Sequence, residues 1–172
     1  MRCKKCLILL TPLLLSFLIS TSVVFAIGDD QYSRPSLKDL KKLSVVVQIE
    51  KPLSEDLKKV SLTEERIRTG IGLKLQEARI NVVYATDLVP DTPILHVEIN
   101  GSNKGQTFSF LIEVELWQKS LLKRDPKLEV LAGTWSTGVF GSGPASNIAN
   151  DMMGLINNMM DTFVKAYGSV NP

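Results

Sequence analysis

Cysteine is nearly absent from this chain: Cys3 and Cys6 are the only two, and both stand ahead of an apolar run that reads as an export signal. Arg2, Lys4 and Lys5 give that segment a basic start, Leu7 to Phe25 an apolar middle, and Val24-Phe25-Ala26 small residues where a signal peptidase reads. Cleavage after Ala26 is therefore expected, making residues 1–26 a signal peptide and the protein periplasmic or extracellular. The alternative is a retained anchor, since the run is about as long as the ~20 residues that span a bilayer, although Pro12 inside it disfavours a straight helix. A lipid anchor on cysteine is not expected, because neither cysteine follows the apolar segment.

Removal of the signal also removes every thiol. The remaining chain has no disulfide, cysteine nucleophile or cysteine-based metal site, which an oxidising compartment permits when the core is large enough. Excess charge is missing as well. Three of the 20 basic residues and none of the 18 acidic ones fall in the first 26 positions, leaving 17 against 18 and a net charge of −1. A near-neutral domain lacks the clustered positive charge that supplies most nucleic-acid affinity. No repeat, low-complexity tract or second domain is visible, and about 145 residues suffice for one core.

What is present alternates. Residues 27–41 begin IGDDQYSRP, polar with Gly and Pro, and read as a flexible leader ahead of a single domain over 42–172. Leu43, Val45, Val47 and Ile49 share one side of a half-buried strand that Pro52 ends. Ser61 and Glu64 have capping-box spacing, and Ile67, Ile71, Leu75 and Ala78 then form one helical stripe. Gly70 and Gly72 would let that helix approach the sheet closely. Residues 80–84 form a short strand and 87–93 a loop. Strands over 94–100 and 107–118 flank a hairpin loop at Gly101 to Gln106, and a third runs from Leu128 to about Thr137. Residues 138–144 (GVFGSGP) break the pattern before a helix from about Ala145 to Tyr167, with Ile148, Met152, Leu155, Met159, Phe163 and Ala166 on its stripe and Gly168 as its stop. The expected fold is α+β: a mainly antiparallel sheet of about five strands, with two helices packed on one face.

Such a sheet leaves a second face. Alternation places Ser44, Val46, Gln48, Glu50, His96, Glu98, Ser109, Leu111, Glu113, Glu115 and Trp117 there. Val46, Leu111 and Trp117 are unusual on a polar face, and with His96, Glu98, Glu113 and Glu115 they form the candidate binding surface. No catalytic residue is singled out. His96, the sole histidine, would face Leu111 across the hairpin, with Glu98 opposite Ser109 and Glu113 on the diagonal. A lone histidine without a second strong ligand is a poor metal site, so neither metal nor cofactor is expected. Gly141-Ser142-Gly143 lacks the full nucleophile elbow, and residues 138–144 match neither the phosphate-loop nor the dinucleotide motif. The methionine pairs 152–153 and 159–160 read as packing, with Met153 and Met160 beside the stripe. Asn100-Gly101-Ser102 is a glycosylation sequon placed on a turn, relevant only in a eukaryotic host.

The stretches LIEVELWQKSLLKRDPK, TWSTGVFGSG and DTFVKAYGSVNP, with IRTGIGLKLQEARINV upstream, give the chain a familiar outline. It resembles a group of small exported bacterial proteins of unknown function, over most of the length beyond the signal. The resemblance implies the same fold and export and carries no functional residue across. Such proteins often have Gly where Arg79 stands here. In element order the chain is also similar to periplasmic envelope domains such as the N-terminal domain of the Tol-system propeller protein. The expected function is a non-enzymatic exported module that binds an envelope protein partner, without nucleic acid and without a membrane unless the leader is retained. The alternatives are a membrane-tethered envelope protein with an uncleaved anchor and a carboxylate hydrolase. The hydrolase requires at least two of Glu98, Glu113 and Glu115 in one concave pocket. The oligomeric state does not follow from the sequence.

Overall fold

The computed structural model describes residues 25–51, 53–83 and 91–172. The signal segment through residue 24, Pro52 and most of the 87–93 loop lie outside them. The elements run β1 (Phe25–Gly28), a short 3-10 helix (Arg34–Leu37), β2 (Lys42–Ile49), α1 (Leu53–Lys59), α2 (Glu64–Glu77), β3 (Asn81–Val83), β4 (Ile94–Lys104), β5 (Thr107–Leu122), β6 (Asp125–Pro144), a second 3-10 turn (Ala145–Asn147) and α3 (Ile148–Val170). This is an α+β fold with a mixed, mostly antiparallel sheet in the order β1-β6-β5-β4-β2-β3. Strand β2 lies parallel to both β3 and β4. Parallel neighbours need a crossover, and α1 with α2 supply the one between β2 and β3.

The apolar positions of alternate strand residues meet the helices in one core. Leu43, Val45, Val47 and Ile49 of β2 join Leu95, Val97 and Ile99 of β4 and Phe108, Ile112, Val114 and Leu116 of β5. Trp135 of β6 packs edge-on against Phe163 of α3, ring centres 5.1 Å apart and planes at 76°. Helix α2 contributes Ile67, Ile71 and Leu75, with Ala78 partly buried beside them. No helix among the described residues is long and apolar enough to cross a membrane.

Several expectations change. The segment read as a flexible leader is folded onto the domain. Asp29 N–H donates to Ser136 O at 2.8 Å, and its carboxylate accepts from Arg34 at 2.9 and 2.8 Å and from Trp135 Nε1 at 3.1 Å. The Arg34 guanidinium foremost, helped by the Trp135 N–H, holds the Asp29 carboxyl below the ordinary aspartate value against the opposing pull of burial. Leu37 and Leu40 are buried, and the Asn171 amide donates to Leu37 O while accepting from Asp39 N–H. Apolar residues at 37 and 40 carry this docking behind a polar start.

Helix α1 was not expected: its seven residues bury only Leu53 and Leu57, too few to show a period. Acidic Glu55 and Asp56 near its start pair with basic Lys58 and Lys59 near its end, an order that suits the helix dipole. Helix α2 is capped by Thr63, whose Oγ1 accepts from Arg66 N–H at 3.2 Å, two residues past the expected Ser61. Ser61 sits in the preceding turn at φ +58°, and Glu64 instead accepts from Ile49 N–H of β2. Gly70 faces Met153 of α3 rather than the sheet. In α3 the buried stripe includes Ile156 and Met160, Leu155 is only partly buried, and the helix continues through Gly168.

Residues 138–144 do not break the sheet: they form the last third of β6, paired from Gly138↔Glu113 to Pro144↔Thr107. Glycine persists there because a Cβ at Gly141 would stand 2.8 Å from the Phe110 ring. The 101–106 loop shrinks to Gly105 and Gln106, since β4 and β5 pair out to Lys104↔Thr107 with Gly105 at φ +70°. The sequon residue Asn100 therefore lies within a strand, partly buried, not on a turn.

Candidate interaction surface

Each inward core residue on β2, β4, β5 and β6 leaves its neighbours on the outer face, and the sheet register sets them in rows. Ser44, Ile94, Trp117 and Gly133 form the first row, and Val46, His96, Glu115 and Ser136 the second. Gln48, Glu98, Glu113 and Gly138 make the third; in the fourth, Asn100 and Leu111 stand beside Phe140. All seven candidates therefore share one continuous patch spanning three neighbouring strands.

The shortened hairpin shifts the expected register. His96 faces Glu115 directly, not Leu111, and Glu98 faces Glu113, not Ser109. The His96 ring lies against Trp117, centres 5.8 Å apart and planes at 54°. Trp117 Nε1 donates to Glu115 Oε2 at 2.9 Å, tying the indole to the next outward residue of its own strand. His96 Nδ1 is buried and has no hydrogen-bond partner among the described residues. Glu98 accepts from the Asn100 amide at 3.1 Å.

Facing carboxylates destabilise an antiparallel pair. Gln48 and Gly138 flank Glu98 and Glu113 along their row without a compensating charge, and among the described residues neither glutamate forms an ion pair. The patch is thus acidic at its centre and apolar at both ends, with Trp117 and Ile94 at one and Leu111 and Phe140 at the other. Phe140 is 53% exposed and was not anticipated. Its signal was the alternation of Trp135, Thr137 and Val139, which continues through the stretch read as a break.

Two clefts of the described residues lie elsewhere. One of about 670 Å³ sits where the β4–β5 turn meets the approach to α3, lined by Gln106, Thr107, Ser142, Pro144 and Ser146 among others and by no charged side chain. A second, about 590 Å³, lies between α1 and α2 beside Lys58, Glu64 and Arg68. A smaller one of about 190 Å³ lies beside Asp29 and Ser136 and is lined by Glu115 but by neither Glu98 nor Glu113. None of these three clefts holds two of the carboxylates that the hydrolase reading needs. Among the described residues no group of three metal-capable side chains converges.

No family model matches the chain, and no curated protein matches it. Among solved structures it is similar to a PelC dodecamer from Paraburkholderia phytofirmans, with 11% identity over 85% of this chain and 96% of that one and a TM-score of 0.46. It is also similar to a minor lipoprotein from Acinetobacter baumannii, with 14% identity over 73% of this chain and 87% of that one and a TM-score of 0.26. Both likenesses are distant.

Proposed function

We propose that this is an exported, non-enzymatic module of the cell envelope that binds a protein partner through the outer face of its sheet. The observation that carries this reading is the Glu98–Glu113 pair, two carboxylates facing each other between apolar ends and forming no ion pair among the described residues. A partner that places a basic group over the pair and apolar side chains over Trp117 or Phe140 would remove the repulsion and cover the half-buried indole and the exposed Phe140 ring. Aromatic anchors beside charged groups are the usual centres of interface energy. The signal-like segment supports placement outside the cytosol, and retention of that segment would tether the same surface to a membrane.

Capture from envelope extract by the exported chain tests the reading. The wild type should retain a partner, and Trp117→Ala should lose at least about 2 kcal/mol of binding, near thirtyfold in affinity, if the indole is a central anchor. Equal capture by the two proteins, or none by either, would contradict it.

A further inference from the structure

Beyond Trp117 the β5–β6 ribbon leaves the sheet. Strand β4 begins at Ile94, opposite Trp117, and β1 ends at Gly28, opposite Thr137. From Lys119↔Leu131 to Leu122↔Asp125 the two strands therefore pair only with each other among the described residues. Lys119 fixes the base of this arm by pairing with Asp91 at 2.6 Å and Glu129 at 2.8 Å. The arm exposes Leu121 by 64%, Leu128 by 50% and Leu131 by 50%. Register and alternation put Leu121 and Leu131 on the same face as Trp117. Its tip carries Lys123 and Arg124 in the turn and Lys127 at the start of β6 against the single carboxylate of Asp125, and none of the three cations forms an ion pair among the described residues. A two-stranded ribbon is marginal alone in water, and clustered exposed leucines mark contact surfaces.

The arm is the complement of the outer sheet face: basic where that face has Glu98 and Glu113, and apolar where it has Leu111 and Phe140. It cannot reach its own copy of that face. Leu122 lies along the same strand as Glu113, roughly 30 Å away at about 3.3 Å per residue. Resting on the proposed function of that face, we infer that its partner is a second copy of this chain, docked by the β5–β6 arm. The contact joins two different surfaces, so each copy offers a free arm and a free face, and repetition gives a closed ring or an open filament.

Sedimentation velocity of the exported chain, across a concentration series at low and high salt, tests this. The mass should rise with concentration and fall with salt. The arm variant Lys123→Glu/Arg124→Glu/Lys127→Glu and the face variant Glu98→Lys/Glu113→Lys should each associate roughly tenfold or more weakly. Mixing the two should restore assembly, because each then meets a surface of opposite charge; restoration also shows that both are folded. A wild type that stays monomeric, variants that assemble like it, or folded variants that fail to recover on mixing would overturn the inference. So would arm-dependent binding to phosphatidylglycerol vesicles in place of self-association. A monomeric chain that still captures an envelope protein through Trp117 overturns this inference and leaves the proposed function standing.

Discussion

At the scale of single residues, Asp29 joins three parts of the molecule. Its backbone continues the β1–β6 edge, and its carboxylate receives Arg34 from the first 3-10 helix and the indole N–H of core residue Trp135, which is only 2% exposed. Asp29→Ala would leave that buried N–H unpaired, at a cost of about 1–3 kcal/mol in urea unfolding. Asp29→Asn keeps an acceptor and tolerates the positive φ of +55°, so it should cost less. The carboxyl titrates below its ordinary value of 3.8 in the folded chain. Its ionic contribution to stability is therefore present above pH 3.8 and is lost as the pH falls through the depressed folded value. The stability gap between wild type and Asp29→Asn should narrow in that acid window and stay constant well above it. None of this was legible in IGDDQYSRP, where the polar residues hid a side chain that bridges Arg34 and Trp135.

At the scale of elements, the end of α2 holds a non-glycine residue in a left-handed conformation. Arg79 adopts φ +62° just after the helix, with its N–H on Gln76 O and the next N–H, of Ile80, on Leu75 O. Glycine suits such a left-handed C-terminal position. Arg79→Gly should stabilise the protein by about 0.5–1 kcal/mol, the relief of strain exceeding the added unfolded-state entropy, measured as a rise in thermal midpoint. Elements with a strong period were readable beforehand: β2, β4 and β5 by alternation, α2 and α3 by their stripes. What escaped was governed by pairing. The run GSNKGQ is rich in turn formers and looks like a six-residue loop, yet cross-strand hydrogen bonding draws all but Gly105 and Gln106 into the ladder. That one difference moved His96 from Leu111 to Glu115 and created the Glu98–Glu113 pair. The glycines of residues 138–144 misled in the same way, because Gly141 answers to the Phe110 ring and not to a turn.

At the scale of the whole molecule, among the described residues the helices cover one side of the sheet and the acidic, aromatic-ended patch lies on the other. That Val46, His96, Glu98, Leu111, Glu113, Glu115 and Trp117 share a face was readable, because alternation assigns faces without knowing register; the place of Phe140 among them and the internal geometry were not. The helical side offers a control surface, with Leu73 of α2 58% exposed and far from the outer strands in the layering of the fold. The most direct test of a binding outer face is site-specific photocrosslinking of the exported chain in intact cells, with the probe at Leu111 or, separately, at Leu73. A discrete protein adduct, to a second copy or to another envelope protein, is expected from Leu111 and not from Leu73. An adduct from Leu73 alone, or from neither position, would contradict the account.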